Sequence, residues 1–220
     1  MIGTMRLRTL GVLAAATMLS GCVGSLLGGG KPDRLYRFGA SAMAPTPVVP
    51  TVRPRRLLTV PAAQFASAVA GDRILTVDGA KAAYAKDARW LSPASVLYDD
   101  AVQAALRTRV PDIGIATRAT LRDTTAILSI EIDRFEAQFA DRGDASATPT
   151  VHIEGTATLV DTHTRAVIAR YPIASMQTAS ADNEAAIVAA FDTAATRSAA
   201  AIADWVNVAT PVPASLPTRR

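Results

Sequence analysis

Three stretches in the second half of the chain alternate apolar and polar residues with a period of two. They restrict the fold more than any other feature. Leu128, Ile130 and Ile132 alternate with Ser129, Glu131 and Asp133, the pattern of a strand with one face in a core and one face open. The phase then shifts. Phe135, Ala137 and Phe139 continue on odd positions, which predicts a bulge or bend near Asp133-Arg134. Val151, Ile153, Ala157 and Leu159 alternate with His152, Glu154, Thr156 and Thr158. After the turn Asp161-Thr162-His163-Thr164 come Val167, Ala169, Tyr171 and Ile173. Three consecutive strands of this kind predict an antiparallel sheet buried on one face only.

Two segments of helical period supply the cover. Ser92-Pro93 predicts a helix start, with Ser92 as cap and Pro93 at the first helical position. Leu97, Ala101 and Ala105 share a face with Tyr98, Val102 and Leu106 beside them. Arg107 and Arg109 suit the C-terminal dipole, and Pro111 stops the helix after about Arg109. A closing helix is expected over about Asn183 to Val206, with Ile187, Phe191, Ala195, Ser198, Ile202 and Trp205 on one stripe. Upstream, Leu35–Phe38 and Arg56–Val60 read as short strands, and Arg73–Val77 with Ala80–Ala85 as a hairpin about Asp78-Gly79. This order predicts an α+β fold: a two-layer sandwich, mostly antiparallel sheet with two helices packed on one face. Abundant alanine and few aromatics point to helices lying close to the sheet.

The N-terminus carries a different kind of signal. Arg6 and Arg8 precede the apolar run Leu10 to Leu19, and Leu19-Ser20-Gly21 leads directly into Cys22. Charged, apolar and small residues in that order make a cleavable secretory signal, and the apolar run is about half the ~20 residues of a spanning helix. A cysteine at this place makes it a lipobox, in which the sulfur is acylated and the chain is cut before it. The alternative is an ordinary signal peptide with an incidental cysteine. On the lipobox reading residues 1–21 are removed and 22–34 are a lipidated, flexible Gly-rich leader. A single domain follows over 35–208, and 209–220 is a Pro-rich tail that frays. Two or three acyl chains hold a protein stably where one does not. Val23 stands where an aspartate would favour inner-membrane retention, so the expected residence is the outer membrane, facing the periplasm.

Removal of the first 21 of 220 residues leaves 199, enough for one domain with a real core, and lowers the formal charge from +4 to +2. No arginine- or lysine-dense run with interleaved aromatics is present, so nucleic acid is not an expected partner. Cys22 is the chain's one cysteine. Once acylated it leaves no disulfide and no thiolate chemistry, and the fold must hold by packing. Catalytic signatures are missing too. No Gly-x-Ser-x-Gly elbow, phosphate-binding loop or dinucleotide fingerprint occurs. His152 and His163 lack a third ligand at a matching spacing, so no metal or cofactor is expected. Asp99 and Asp100, adjacent on a helix, point in different directions and read as a solvated face. Arg142-Gly143-Asp144 reads as a turn. Trp90 is the aromatic to watch: before a helix start it serves either as a staple or core plug, or as an exposed anchor for a partner.

The lipobox followed by the strand Leu35-Tyr36-Arg37-Phe38 is one familiar element. The stretch from Arg73 through Tyr84, Arg89-Trp90, Ser92-Pro93 and Leu106 is another. Together they resemble the ABC-type transport auxiliary lipoprotein family, which includes the paraquat-inducible protein C type. Phe38 stands where the family pattern has leucine. The resemblance implies a non-enzymatic lipoprotein whose partners are an MCE-domain periplasmic protein and its ABC permease and ATPase. Phospholipids or other hydrophobic molecules would cross the periplasm through that system. It also implies a membrane contact through the lipid anchor, and a homo-oligomer as one arrangement for docking. Two other readings remain: a free-standing structural or assembly lipoprotein, and a periplasmic lipid-binding carrier with an apolar cavity.

Overall fold

Residues 33–39, 56–140 and 148–210 are described by the computed structural model. Cys22, the Pro45–Pro54 connector, Arg142-Gly143-Asp144 and the Pro-rich tail lie outside them. The described elements belong to the unit Arg34–Arg220.

The axis of the sheet is the 14-residue strand Ala126–Phe139, β7. On one side Thr150–Asp161 (β8) runs antiparallel to it, and Val167–Thr178 (β9) runs antiparallel to β8. On the other side three short strands follow one another along its length, each parallel to it. Arg56–Thr59 (β2) meets Ala126-Ile127, Gln64–Phe65 (β3) meets Glu131-Ile132, and Arg73–Asp78 (β4) meets Ala137–Phe139. Lys81–Trp90 (β5) returns antiparallel to β4, and Arg34–Tyr36 (β1) lies parallel to β5. Ile113–Ile115 (β6) adds parallel to β2. The sheet is therefore mixed, and the expectation of a mostly antiparallel one is corrected. Alternation marks which residues form strands and which face is buried. It is silent on the direction of a two- to six-residue partner, whose own pattern is too short to read.

The expected bulge is present. Register shifts between Ile132 and Arg134, opposite Gly155 and Glu154, and the buried set passes from Leu128, Ile130 and Ile132 to Phe135, Ala137 and Phe139. The extra residue swings the odd positions inward, so both halves of β7 feed one core. Gly155 faces it across the ladder. A Cβ there would collide with the Glu131 carbonyl and the Ile132 Cα, so the close approach of β8 to the bulge requires glycine.

Helix α1 is Ala94–Arg109, as its apolar stripe predicts, and buries Leu97, Tyr98, Ala101, Val102, Ala105 and Leu106. Its start differs from expectation. β5 runs on to Trp90, Pro93 takes the cap position, and no side chain caps the helix. The Ala94 N–H instead donates to the Gly71 carbonyl at 2.9 Å, so a loop backbone performs the role assigned to Ser92. Helix α2 is Glu184–Ala209, capped by Asn183, whose side chain accepts from the Ala186 N–H at 3.0 Å. It lies against α1 and against β8 and β9. By length and composition alone α2 would cross a membrane, but Ile187, Phe191, Ala195, Ile202 and Val206 are spent in the core. Alanines at 190, 194, 195, 199 and 203 are buried with them, which lets the helix axis come close to its neighbours.

At the centre, Phe38, Trp90, Phe135 and Phe191 pack ring to ring. Centroids are 4.9 Å apart for Phe38–Trp90, 5.2 Å for Trp90–Phe191 and 5.0 Å for Phe135–Phe191. Such pairs add about 0.5–1.5 kcal/mol each beyond the area they bury. At the far end of α2, the buried Arg56 guanidinium donates to the carbonyls of Thr210 at 2.7 Å and Asn207 at 3.3 Å, and pairs with Asp112 at 2.6 Å. A strand residue thus supplies the positive charge that a helix C-terminus favours.

Candidate functional site

His152, His163, Asp99 and Tyr98 are each tied into structure. His152 and His163 stand toward opposite ends of β8, and no group of three or more metal-ligating side chains occurs among the described residues. His152 Nδ1 lies 3.3 Å from Glu154 Oε1 on the outward face of β8. Arg134, displaced by the bulge, donates to that same oxygen at 2.9 Å, to Glu136 at 2.8 Å and to Gln138 at 3.0 Å. Burial pushes the Glu154 carboxyl up, but Arg134 and His152 outweigh it and hold the group below its usual range. The network is closed on itself and holds no hydroxyl or thiol nucleophile. His163 sits in the β8–β9 turn, where its N–H donates to Asp161 Oδ1 at 2.8 Å.

Asp99 and Asp100 do not act as a pair. Asp99 is half-buried and accepts the Ala63 N–H at 2.9 Å, anchoring the β2–β3 connection to α1. Burial pushes its carboxyl above the usual value, with the Ala63 N–H opposing and the Asp100 charge assisting. The solvated-face expectation is corrected for this residue. Tyr98, fully buried, approaches Ser198 on α2 with 2.5 Å between the two hydroxyl oxygens. Burial drives its phenol above the ordinary tyrosine range.

Trp90 is 1 % exposed and encircled by Phe38, Phe135 and Phe191. The partner-anchor alternative is corrected: as the last residue of β5, in phase with the buried Ala88, it points into the core. Between β1 and the start of α2 is a cleft of 380 Å³ lined by Arg34, Tyr36, Asn183, Glu184 and Ala185. Arg34 and Tyr36 fill its polar side by donating to the Glu184 carboxylate at 2.9 and 3.2 Å.

What remains is surface for contact. Among the described residues β9 is bonded on one side only, to β8, and it exposes Val167 at 49 % and Met176 at 55 %. Pro172 lies within it, as suits an edge strand. β1 closes the other end of the sheet with Leu35 60 % exposed, beside Leu91 at 56 %. Arg56, the Tyr98–Ser198 contact and these edges were not legible in the sequence. Pro172 in the last strand was the one usable sign of an edge.

The fold is an open-edged mixed sheet backed by two helices, with apolar side chains exposed at its margins. The family follows from comparison. A family model described as ABC-type transport auxiliary lipoprotein component matches residues 36–203, and the chain belongs to that family. It is accordingly an accessory lipoprotein of ABC-type transport. In fold it is similar to a Xanthomonas campestris protein of the DUF330 family, with TM-score 0.62, 23 % identity and coverage of 81 % of this chain and 95 % of that one. A second crystal structure gives TM-score 0.62 at 16 % identity, covering 80 % and 99 % of the two chains. No curated protein matches by sequence.

Proposed function

We propose that this protein is a non-enzymatic lipoprotein subunit of an MCE-type ABC transport system that moves phospholipids or other hydrophobic molecules across the periplasm. The family match over residues 36–203 carries the reading. The lipobox ending at Cys22 supports it: residues 1–21 are removed, the acylated Cys22 anchors the mature chain, and 22–34 form its leader. Val23 after the cysteine supports residence in the outer membrane, facing the periplasm. The domain over 35–208 docks onto the MCE protein, alone or as a ring of copies. The β9 edge supports docking, because its side away from β8, with Val167 and Met176 exposed on the strand, offers both backbone groups and apolar contact.

Affinity capture of the tagged, acylated protein from native envelopes, with mass spectrometry of what comes with it, tests this. Recovery of an MCE protein with its permease and ATPase is the expected result. Clean recovery of the lipoprotein alone, or with other outer-membrane proteins, would move the reading to a free-standing assembly lipoprotein.

A further inference from the structure

A row of side chains crosses the outward face of the sheet at the β1 end. Leu35 on β1 is in register with Arg89 on β5, and Arg89 is in register with Arg73 on β4. Ala88 and Trp90 point inward, so this row points outward. Just past the ends of β1 and β5, Arg37 and Leu91 are exposed as well. Arg73 lies over the Tyr84 ring, 4.1 Å from its centroid, and Arg89 meets Asp72 at 3.3 Å. The result is a surface that carries Arg37, Arg73 and Arg89 beside Leu35, Leu91 and Tyr84, with Asp72 paired to Arg89.

We infer that this face rests on the anionic phospholipid surface of the membrane that holds the protein. The inference depends on the acylation of Cys22 proposed above. Two observations point to a bilayer as the occupant. The first is charge and chemistry: arginines beside exposed leucines and a tyrosine suit a headgroup region, where cations meet phosphates and apolar side chains enter the acyl boundary. The second is the length of chain between the anchor and the patch. Twelve peptide steps separate Cys22 from Arg34, a contour of at most about 43 Å. Tethering at that range corresponds to millimolar effective concentration, so a face of weak intrinsic affinity is still occupied. Val208, 86 % exposed near the end of α2, lies at the opposite end of that helix from the Arg34–Glu184 pair, about 36 Å along it.

The acylated mature protein, reconstituted in vesicles, provides the test. Cys22 is the one natural thiol and is consumed by the lipid, so Leu91→Cys can be labelled alone with an environment-sensitive fluorophore. Leu35→Cys serves if the first variant misfolds, and Val208→Cys is the control. On vesicles of phosphatidylethanolamine with phosphatidylglycerol, the label at 91 should shift to the blue and be quenched by brominated acyl chains, while the label at 208 should not. A cation near such a surface contributes about fivefold, and Arg89, paired with Asp72, contributes less. The R37Q/R73Q/R89Q variant, or molar salt, should therefore return quenching to that on phosphatidylethanolamine alone. A label at 91 that remains in water on both vesicles overturns the inference, and so does one protected only in native envelopes, which assigns the face to a protein. If the protein fails to float with vesicles at all, the anchor itself is absent, a failure distinct from silence of the label.

Discussion

The hydroxyl oxygens of Tyr98 and Ser198 lie 2.5 Å apart, one on α1 and the other on α2, and both side chains are buried. This is the buried polar point of a helix–helix contact whose other charged pair, Arg109 with Asp204 at 2.6 Å, is exposed. Removing one partner strands the other without water, whereas removing both restores an apolar match. Ser198→Ala should cost about 1–3 kcal/mol, and Tyr98→Phe with Ser198→Ala should cost less than that single change. Denaturant midpoints of the four proteins in the cycle check this; simple additivity would mean that the contact contributes nothing.

The same phenol makes stability fall in alkali. Its folded-state pKa is raised, foremost by burial, so above about pH 10 the unfolded chain releases a proton that the folded one retains. Unfolding is then favoured by up to about 1.4 kcal/mol per pH unit. Below that pH the contribution is fully present. Tyr98→Phe should flatten the midpoint-versus-pH curve between about pH 10 and 12, after subtraction of the other tyrosines' shared background.

Gly155→Ala should be among the most damaging single-methyl additions in the chain. The new Cβ meets β7 backbone at the bulge, which cannot yield as a side chain would, and overpacking of this kind costs about 1–3 kcal/mol or more. Gly79→Ala is the contrast. At φ +57° with open space around it, it should lose only about 1–2 kcal/mol of conformational energy. Thermal unfolding of the two variants side by side separates steric from torsional cost.

Trp90→Ala should cost about 3–5 kcal/mol and lower the yield of folded protein. Normal stability with lost partner binding would contradict the buried position.

Arg56→Met keeps the length of the stem and removes the guanidinium that holds the Thr210 and Asn207 carbonyls. A loss of about 1.5–3 kcal/mol is expected. Hydrogen exchange should quicken in the last turn of α2, around Val206 to Thr210, before the remainder of the helix responds.

Much of this structure was legible because two periodicities are strong. The phase shift at Asp133-Arg134 located the bulge, and the stripe from Leu97 to Leu106 located α1. β3 and β6, of two and three residues, are too short for alternation to register. Parallel pairing of β2, β3 and β4 with β7 depends on contacts up to 68 positions away, which local pattern does not encode. Trp90 was ambiguous because Lys81 to Asp87 of β5 show little apolar alternation, so neither the strand nor its inward phase could be followed to its end. Burial of Arg56 and Asp99 follows from carbonyls and an N–H that only the assembled fold brings to them.

The aromatic cluster draws Phe38, Trp90, Phe135 and Phe191 from nearly the whole length of the domain. A chain complete only as far as β9 has the first three rings without the fourth, and the β7–β8–β9 face without α2. Contacts this distant in sequence form late. The last helix is therefore the latch of the domain: the core lacks one of its four rings, and the sheet part of its cover, until the final element of the chain is in place.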